Sequence, residues 1–71
     1  MDGNEYKVTL TAARINVGLT QAEASALIGI SKATLAKYET GKTSPTIPTL
    51  KRMCQVYRVP IDAISFAPVA N

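Results

Sequence analysis

Apolar residues recur at spacings of three and four along most of the chain, which is the period of an α-helix with one buried face. The first such run covers residues 9–17, with Leu10, Ala13 and Val17 facing inward. Gly18 follows it, at a position where helices commonly end. No alternating apolar and polar run is long enough to indicate a strand. The pattern therefore predicts an all-α fold.

A second helical run begins after Leu19 and ends at Gly29. The hydroxyl of Thr20 can accept a hydrogen bond from the amide of Glu23 while the glutamate side chain reaches back to the Thr20 amide, which is a capping box. Gly29 stands where a helix can end in the left-handed conformation. The predicted inward residues of this second helix are Ala24, Leu27 and Ile28.

A third helix is separated from the second by the short turn Gly29-Ile30-Ser31. Ser31 can cap this helix, in which Leu35 and Tyr38 form the inward stripe. The side chains that fall on its other faces are Lys32, Ala33, Thr34 and Lys37. A three-residue turn containing glycine between two such helices is typical of a DNA-binding pair. The sequence thus predicts a helix-turn-helix motif over residues 19–41.

Two more elements complete the predicted fold. Thr46 can cap a fourth helix from about Ile47 to Tyr57, and Pro48 falls in its first turn, where the missing amide costs little. Its inward residues are Leu50, Met53, Cys54 and Tyr57. A short fifth helix begins at Pro60, and its apolar residues are Ile61, Ile64 and Phe66. We therefore expect five helices in one domain over residues 9–66, with tails at 1–8 and 67–71.

The composition is that of one small domain with little chemistry for catalysis. The chain has 71 residues, 46% of them hydrophobic, which allows one modest core. Its single cysteine, Cys54, lies in an apolar helical pattern and is predicted to be a buried, inert thiol. Histidine is absent, and neither a metal-ligand spacing nor a glycine-rich phosphate loop occurs. We expect no enzyme, no cofactor and no bound metal.

The chain also lacks signals for the membrane or for secretion. No stretch approaches the ~18 apolar residues of a membrane span. The first residues, MDGNEYK, contain neither the basic region nor the apolar run of a secretory signal. A cytoplasmic location is the expectation.

The chain has a net charge of +3, and three of its lysines lie close together in the sequence. Lys32, Lys37 and Lys42 cluster in and just after the third helix, where a surface that faces phosphates needs them. Solvated lysines on an exposed helix are the alternative interpretation, because many soluble domains are mildly basic without binding nucleic acid.

Several short motifs occur in order across residues 9–66. They are Gly18-Leu19-Thr20-Gln21, the Gly29-Ile30-Ser31 turn, Thr34-Leu35, Tyr38-Glu39-Thr40-Gly41-Lys42, Pro45 and Val59-Pro60-Ile61. Together they resemble the Cro/CI-type (XRE) helix-turn-helix family of phage and bacterial transcriptional regulators. The resemblance implies a compact, five-helix, lambda-repressor-like DNA-binding domain.

Three positions depart from the family pattern. Ala24 stands where such proteins usually carry leucine, Ser25 where they usually carry alanine, and Tyr38 where tryptophan is frequent. The first two substitutions reduce the core volume beneath the helix pair. The residues expected to fill that space are Ile15, Met53 or Phe66.

The resemblance also implies how the domain would meet DNA. The third helix would enter the major groove while the second lies across the phosphate backbone. Positions that contact bases correspond to Lys32, Ala33 and Lys37; lysine can donate to guanine and alanine can contact a thymine methyl, so guanine-bearing half-sites are expected. Positions that contact the backbone correspond to Gln21, Thr34, Lys42, Thr43 and Ser44. For the three hydroxyl residues, an ordinary structural role is an equally good interpretation.

A salt bridge between Arg14 and Glu39 is a further implication of the resemblance. It would tie the first helix to the end of the recognition helix, and Arg14 could also reach a phosphate. If the pair were exposed it would contribute only ~0 to 1 kcal/mol. Gln21 would brace the recognition helix in addition to contacting phosphate.

The function that these features favour is a sequence-specific transcriptional regulator, most simply a repressor, acting as a homodimer on a palindromic operator in double-stranded DNA. Two copies are expected because one recognition helix reads only a few base pairs. Apolar candidates for the dimer interface are the segment 61–66 and Val69, although packing of that helix on the core explains the segment equally well. The alternative is a protein-interaction module of the same fold, such as an anti-repressor or antitoxin, that binds a partner regulator. No small-molecule ligand is expected.

Overall fold

Four α-helices and a final 3-10 turn make up residues 7–66, the part of the chain that the computed structural model describes. The helices are α1 (Leu10–Asn16), α2 (Gln21–Ile28), α3 (Lys32–Thr40) and α4 (Ile47–Tyr57). The all-α prediction is confirmed for this part of the chain, which contains no strand. No helix within it is long and apolar enough to cross a membrane.

The predicted fifth helix is not confirmed. Residues Ile61–Ala63 form a single 3-10 turn, and Ile64 is already extended, with φ −80° and ψ 130°. Ile64 forms a parallel bridge with Val8, in which the Val8 amide donates to the Ala63 carbonyl (2.9 Å) and the Ser65 amide donates to the Val8 carbonyl (2.8 Å). This pairing takes up the backbone groups that a helix would need. Val8, which the sequence analysis places in the N-terminal tail, is buried in the core.

Each α-helix starts with a hydroxyl side chain that accepts a hydrogen bond from the amide three residues later. The four capping residues are Thr9, Thr20, Ser31 and Thr46. The capping box is complete, because the Thr20 amide also donates to Glu23 Oε1 at 2.9 Å. Caps of this kind are worth about 1 kcal/mol each. They fix the starts of the helices close to where the sequence predicts them.

Three helix ends adopt the left-handed conformation, α2 and α3 at a glycine (Gly29 and Gly41) and α4 at Arg58. Gly29 ends α2 with φ 91°, as predicted, and turns the chain sharply toward α3. Arg58 ends α4 with φ 60°, and it is the one non-glycine residue with positive φ in the described part of the chain. Left-handed backbone brings a Cβ close to the following carbonyl, so an arginine is strained there in a way that a glycine is not.

The core lies between α4 and the other three helices. Its largest fully buried side chains are Leu35, Met53 and Tyr57, and the remaining members from the helices are Leu10, Ala13, Ala24, Ile28, Leu50 and Cys54. The predicted inward face of α4 is confirmed at all four positions. Cys54 is a buried free thiol, as predicted, and burial raises the pKa of that thiol.

Several apolar residues expected to face inward are exposed instead. Leu27 is 63% exposed and Val17 36%, because the buried side of α2 runs through Ala24, Ser25 and Ile28 and α1 ends at Asn16. Ile15 (60% exposed) and Phe66 (48% exposed) do not fill the space beneath the helix pair, whereas Met53 is completely buried in the same core cluster as Ala24. The candidate interface residue Val69 and most of the two tails lie outside the described residues.

Candidate nucleic-acid interface

The turn between α2 and α3 is held by backbone hydrogen bonds to one residue. The amides of Gly29 and Ile30 both donate to the Ser25 carbonyl, at 2.8 and 3.0 Å. Ser25 is itself 5% exposed, and its hydroxyl donates to the Ala22 carbonyl at 3.0 Å. The serine that replaces the usual alanine is therefore satisfied within its own helix, and the turn keeps a fixed geometry.

Helix α3 exposes polar and basic side chains on one side and buries Leu35 on the other. Leu35 is completely buried and fixes the rotation of the helix. Lys32, Ala33 and Lys37 are exposed, as the sequence predicts. Thr34 is half-buried, and its hydroxyl accepts a hydrogen bond from Ser31 Oγ at 2.9 Å. The first two turns of α3 therefore offer two lysines and a small apolar side chain to a ligand.

A polar network joins α1, α2 and α3 at one carboxylate. Arg14 donates to Glu39 through Nε (2.7 Å to Oε2) and Nη2 (3.3 Å to Oε1). The third arginine nitrogen, Nη1, donates to the Leu19 carbonyl at 2.8 Å. Gln21 Nε2 donates to the same Glu39 Oε1 at 2.9 Å. The predicted ion pair and the bracing role of Gln21 are thus both present in the structure.

The network is largely shielded from water, because the side chains of Arg14 and Glu39 are only 12% and 5% exposed. Burial raises the pKa of Glu39, but hydrogen bonds from Arg14 and Gln21 outweigh burial, and the pKa lies below its usual value. The hydrogen bond to Glu39 likewise raises the pKa of Arg14. Both groups stay charged at neutral pH, and the pair behaves as a partly buried ion pair.

The charges of this network affect the pKa of Tyr57. Burial, followed by the negative charge of Glu39, raises the pKa of Tyr57 to about 12. Its hydroxyl has no hydrogen-bond partner among residues 7–66. The side chain therefore acts as an apolar core residue under physiological conditions.

The contact made by Arg52 was not predicted from the sequence. Its Nε donates to the Ile28 carbonyl at 3.1 Å, one residue before the Gly29 turn. A cation at the C-terminus of α2 also complements the helix dipole. Arg52 lies 24 positions away in α4, so no local pattern in the sequence indicates the contact. It ties the start of the turn to the opposite side of the core.

The loop after α3 carries the remaining predicted contacts. Lys42, Thr43 and Ser44 are exposed. The amides of Lys42 and Thr43 donate to the Lys37 carbonyl at 3.0 and 3.4 Å, which holds the start of the loop against the end of α3. The structure therefore brings Arg14 and Gln21 together around Glu39 and leaves the predicted α3 and loop residues other than Thr34 exposed. The assignment of these residues to DNA stays a prediction.

A comparison with protein-family models matches residues 10–64 to a family described as helix-turn-helix. The match covers all four helices and the final turn. The chain belongs to the Cro/CI-type (XRE) helix-turn-helix family. Members of this family are DNA-binding regulatory proteins and are generally non-enzymatic. A comparison with curated proteins gives no match.

In this helix-turn-helix protein the residues that depart from the family pattern are buried or partly buried. Ala24 is completely buried, and Met53 packs into the same cluster. Tyr38 is half-buried and packs against the core from α3, where tryptophan is frequent. The substitutions change the volume of individual residues but leave the α2–α3 pair in place.

Proposed function

We propose that this protein is a sequence-specific transcriptional regulator that represses by occupying an operator in double-stranded DNA. The observation that carries the proposal is the exposed side of α3, where Lys32, Ala33 and Lys37 stand on a helix whose rotation is fixed by Leu35 and whose end is tied to Arg14 and Gln21 through Glu39. Rigid presentation of this kind is what base recognition in the major groove requires.

The chemistry of each side chain indicates whether it would contact a base or a phosphate. The two lysines of α3 would donate to guanine O6 and N7, and Ala33 would contact a thymine methyl. Gln21 stands at the N-terminus of α2, beside free amides that suit a phosphate oxygen. The other phosphate contacts that we propose come from Lys42, Thr43, Ser44 and Thr34. Arg14 uses three nitrogens within the protein, so its main role would be orientation, with phosphate contact secondary.

Two copies would bind a palindromic operator, because one recognition helix reads too few base pairs for high specificity. Ile61 and Phe66 are 41% and 48% exposed, which supports segment 61–66 as part of the interface. In this arrangement the half-sites lie about one helical turn of DNA apart. The cytoplasmic location expected from the sequence belongs to the same proposal.

The proposal can be tested by selecting duplexes from a randomised pool at ~150 mM salt, where nonspecific phosphate attraction is weakened. We expect a palindromic site with guanines in each half. Lys37→Ala should relax the preference at one position per half-site, whereas Lys51→Ala, an exposed lysine on α4, should leave the selected site unchanged. Failure of the folded protein to enrich any sequence would refute operator binding.

The homodimer has its own test. Sedimentation of the protein with a full site and with a single half-site should give two protomers and one protomer per duplex. A lone protomer on the full site, bound with the same affinity as on the half-site, would remove dimerisation from the proposal.

A further inference from the structure

We infer that Arg52 is a positioning residue, which fixes the orientation of the α2–α3 pair on the rest of the domain and thereby sets the separation of the half-sites that two copies read. The inference starts from the hydrogen bond that Arg52 Nε donates to the Ile28 carbonyl at 3.1 Å. It rests on the proposed function, because half-sites exist only if two copies bind one operator. It also requires that the two copies contact each other outside α2 and α3.

The α2–α3 pair is closed at both ends. At the turn, the Ser25 carbonyl accepts hydrogen bonds from the amides of Gly29 and Ile30. At the other end, Gln21 Nε2 of α2 donates to Glu39 Oε1 of α3 at 2.9 Å. Because the two helices are joined at each end, the angle between them is fixed. A change of orientation therefore involves the pair as one body.

Side-chain hydrogen bonds attach this body to the rest of the domain at two separate places. Arg14 of α1 holds Glu39, near the end of α3. Arg52 of α4 holds Ile28, the last residue of α2. Within residues 7–66, the Arg52 contact is the one side-chain hydrogen bond that joins α4 to the pair. Without it, only apolar packing, which is non-directional, would resist rotation of the pair about Glu39.

The Ile28 carbonyl is a suitable anchor for an arginine. It is among the last four carbonyls of α2, which have no amide partner within the helix. A cation at this end of a helix also complements the helix dipole. On α4, the adjacent Met53 is completely buried, which fixes the face of the helix from which Arg52 extends. The contact therefore joins two rigid elements with a defined direction.

Direct contact between Arg52 and DNA fits the structure less well. Gln21, a proposed phosphate contact, is the first residue of α2, and Ile28 is the last. A helix of eight residues is about 12 Å long. Arg52 thus binds at the end of α2 opposite to the proposed phosphate contact.

A small rotation of the pair has a large effect on a dimer. Lys32 lies seven residues before Glu39, which is about 10.5 Å along α3. Rotation by about 10° about Glu39 would therefore move Lys32 by about 2 Å. Opposite movements in two copies would add to about 4 Å, which is comparable with the rise of about 3.4 Å per base pair. The segment 61–66, proposed for the interface, follows α4 in the chain, so the Arg52 contact joins the reading helices to the dimer contact.

The test compares wild type with Arg52→Met on the selected operator and on versions with one base pair added or removed between the half-sites. Fluorescence anisotropy at ~150 mM salt gives the affinities. Methionine keeps an unbranched apolar stem and removes the donors. The affinity for a single half-site should stay unchanged. The preference of wild type for the selected spacing should fall by about 3- to 10-fold in Arg52→Met, which is the range that one hydrogen bond supplies.

Two further variants separate the hydrogen bond from the charge. Lys51→Met removes the same charge from the neighbouring exposed position of α4 and should leave both the half-site affinity and the spacing preference unchanged. Arg52→Lys keeps a charged donor on a long side chain and should recover most of the spacing preference.

A measurement without DNA tests the positioning itself. Residual dipolar couplings of ¹⁵N-labelled protein report the orientation of the N–H bonds of α2 and α3 relative to those of α4. One alignment frame should fit all three helices in wild type and in Lys51→Met. In Arg52→Met, the frame of the α2–α3 pair should differ from that of α4.

Three results would overturn the inference. Equal couplings in wild type and Arg52→Met would show that packing alone positions the pair. A loss of half-site affinity in Arg52→Met that Lys51→Met does not share would assign Arg52 to direct DNA contact. An unchanged spacing preference despite a changed orientation would separate Arg52 from the reading of half-sites. Failure of wild type to enrich any duplex is a different result, because it refutes operator binding before any variant is made, and the couplings still decide whether Arg52 positions the pair.

Discussion

Replacing Glu39 by glutamine removes one negative charge from the junction of three helices and changes almost nothing in size. The carboxylate accepts two hydrogen bonds from Arg14 and one from Gln21. Glutamine has only one acceptor oxygen, and its amide nitrogen would face a donor. Arg14 would keep its charge at 12% exposure without a counter-ion.

The size of the effect follows from the burial of the pair. An exposed ion pair contributes about 0 to 1 kcal/mol, whereas removing one partner of a buried pair costs about 3 to 5 kcal/mol. The Arg14–Glu39 pair is almost buried but retains contact with water at the arginine, and Arg14 keeps the Leu19 carbonyl. We therefore expect Glu39→Gln to lower the free energy of unfolding by about 2 to 3 kcal/mol. For a domain of this size that corresponds to a fall in Tm of about 10 to 20 °C.

Urea unfolding at a series of pH values provides the assay. Because the pKa of Glu39 is lower in the folded protein than in the unfolded chain, its stabilisation is fully present above the unfolded value of about 4.3 and is lost as the pH falls through the folded value. The difference between wild type and Glu39→Gln should be complete at pH 7 and should shrink below about pH 4.3. Glu23→Gln is the matched control, because an exposed glutamine can still accept from the Thr20 amide, and its effect should stay within about 0.5 kcal/mol.

The reasoning would be refuted by equal urea midpoints for wild type and Glu39→Gln at pH 7, or by a difference of constant size from pH 7 to pH 3. Either result would mean that the charge of Glu39 contributes nothing to the junction. The bracing of α3 would then have to come from apolar packing at Leu35 alone.

Three other predictions address single residues. Arg58→Gly should raise the free energy of unfolding by about 0.5 to 1 kcal/mol, because glycine relieves the left-handed strain at a smaller entropic cost; a lower Tm would show that the arginine side chain outweighs the strain. Tyr57→Phe should leave the free energy of unfolding at pH 7 within about 0.5 kcal/mol of wild type, since the hydroxyl has no partner in residues 7–66. It should also reduce the loss of stability between about pH 10 and pH 12 that the raised pKa of Tyr57 produces. A cost above about 1 kcal/mol at pH 7 would reveal a hydrogen bond at that hydroxyl. Lys42→Ala should weaken binding to all duplexes alike and reduce the slope of log K against log salt by about 1, as measured by fluorescence anisotropy; an unchanged slope would remove Lys42 from the phosphate contacts.

The helix starts could be predicted because each is decided within four residues. Thr20, Ser31 and Thr46 all cap where their local pattern indicates, since the donor and the acceptor lie on the same short segment. The end of α2 at Gly29 is local for the same reason. These features fix the α2–α3 pair, and they explain why the family resemblance and the structure agree there.

Features that depend on distant partners could not be predicted in the same way. The segment after Pro60 has apolar residues at helical spacing, but pairing with Val8 makes it extended beyond one 3-10 turn. Leu27 shows the limit of the apolar pattern itself, because an apolar residue stays at the surface where no neighbouring helix covers it. The contact of Arg52 with the end of α2 depends on how α4 crosses it. The ion pair of Arg14 and Glu39 was expected only because of the family resemblance.

The bridge between Val8 and Ile64 joins two segments that run in the same direction, although they are 56 positions apart in the sequence. The chain therefore enters at residue 7 beside one end of the bridge and leaves at residue 66 beside the other end. A partner domain fused ahead of residue 7 and another fused after residue 66 would extend away from each other. The parallel pairing thus suits this domain to a position between two others in a line and not to insertion into the loop of a host protein.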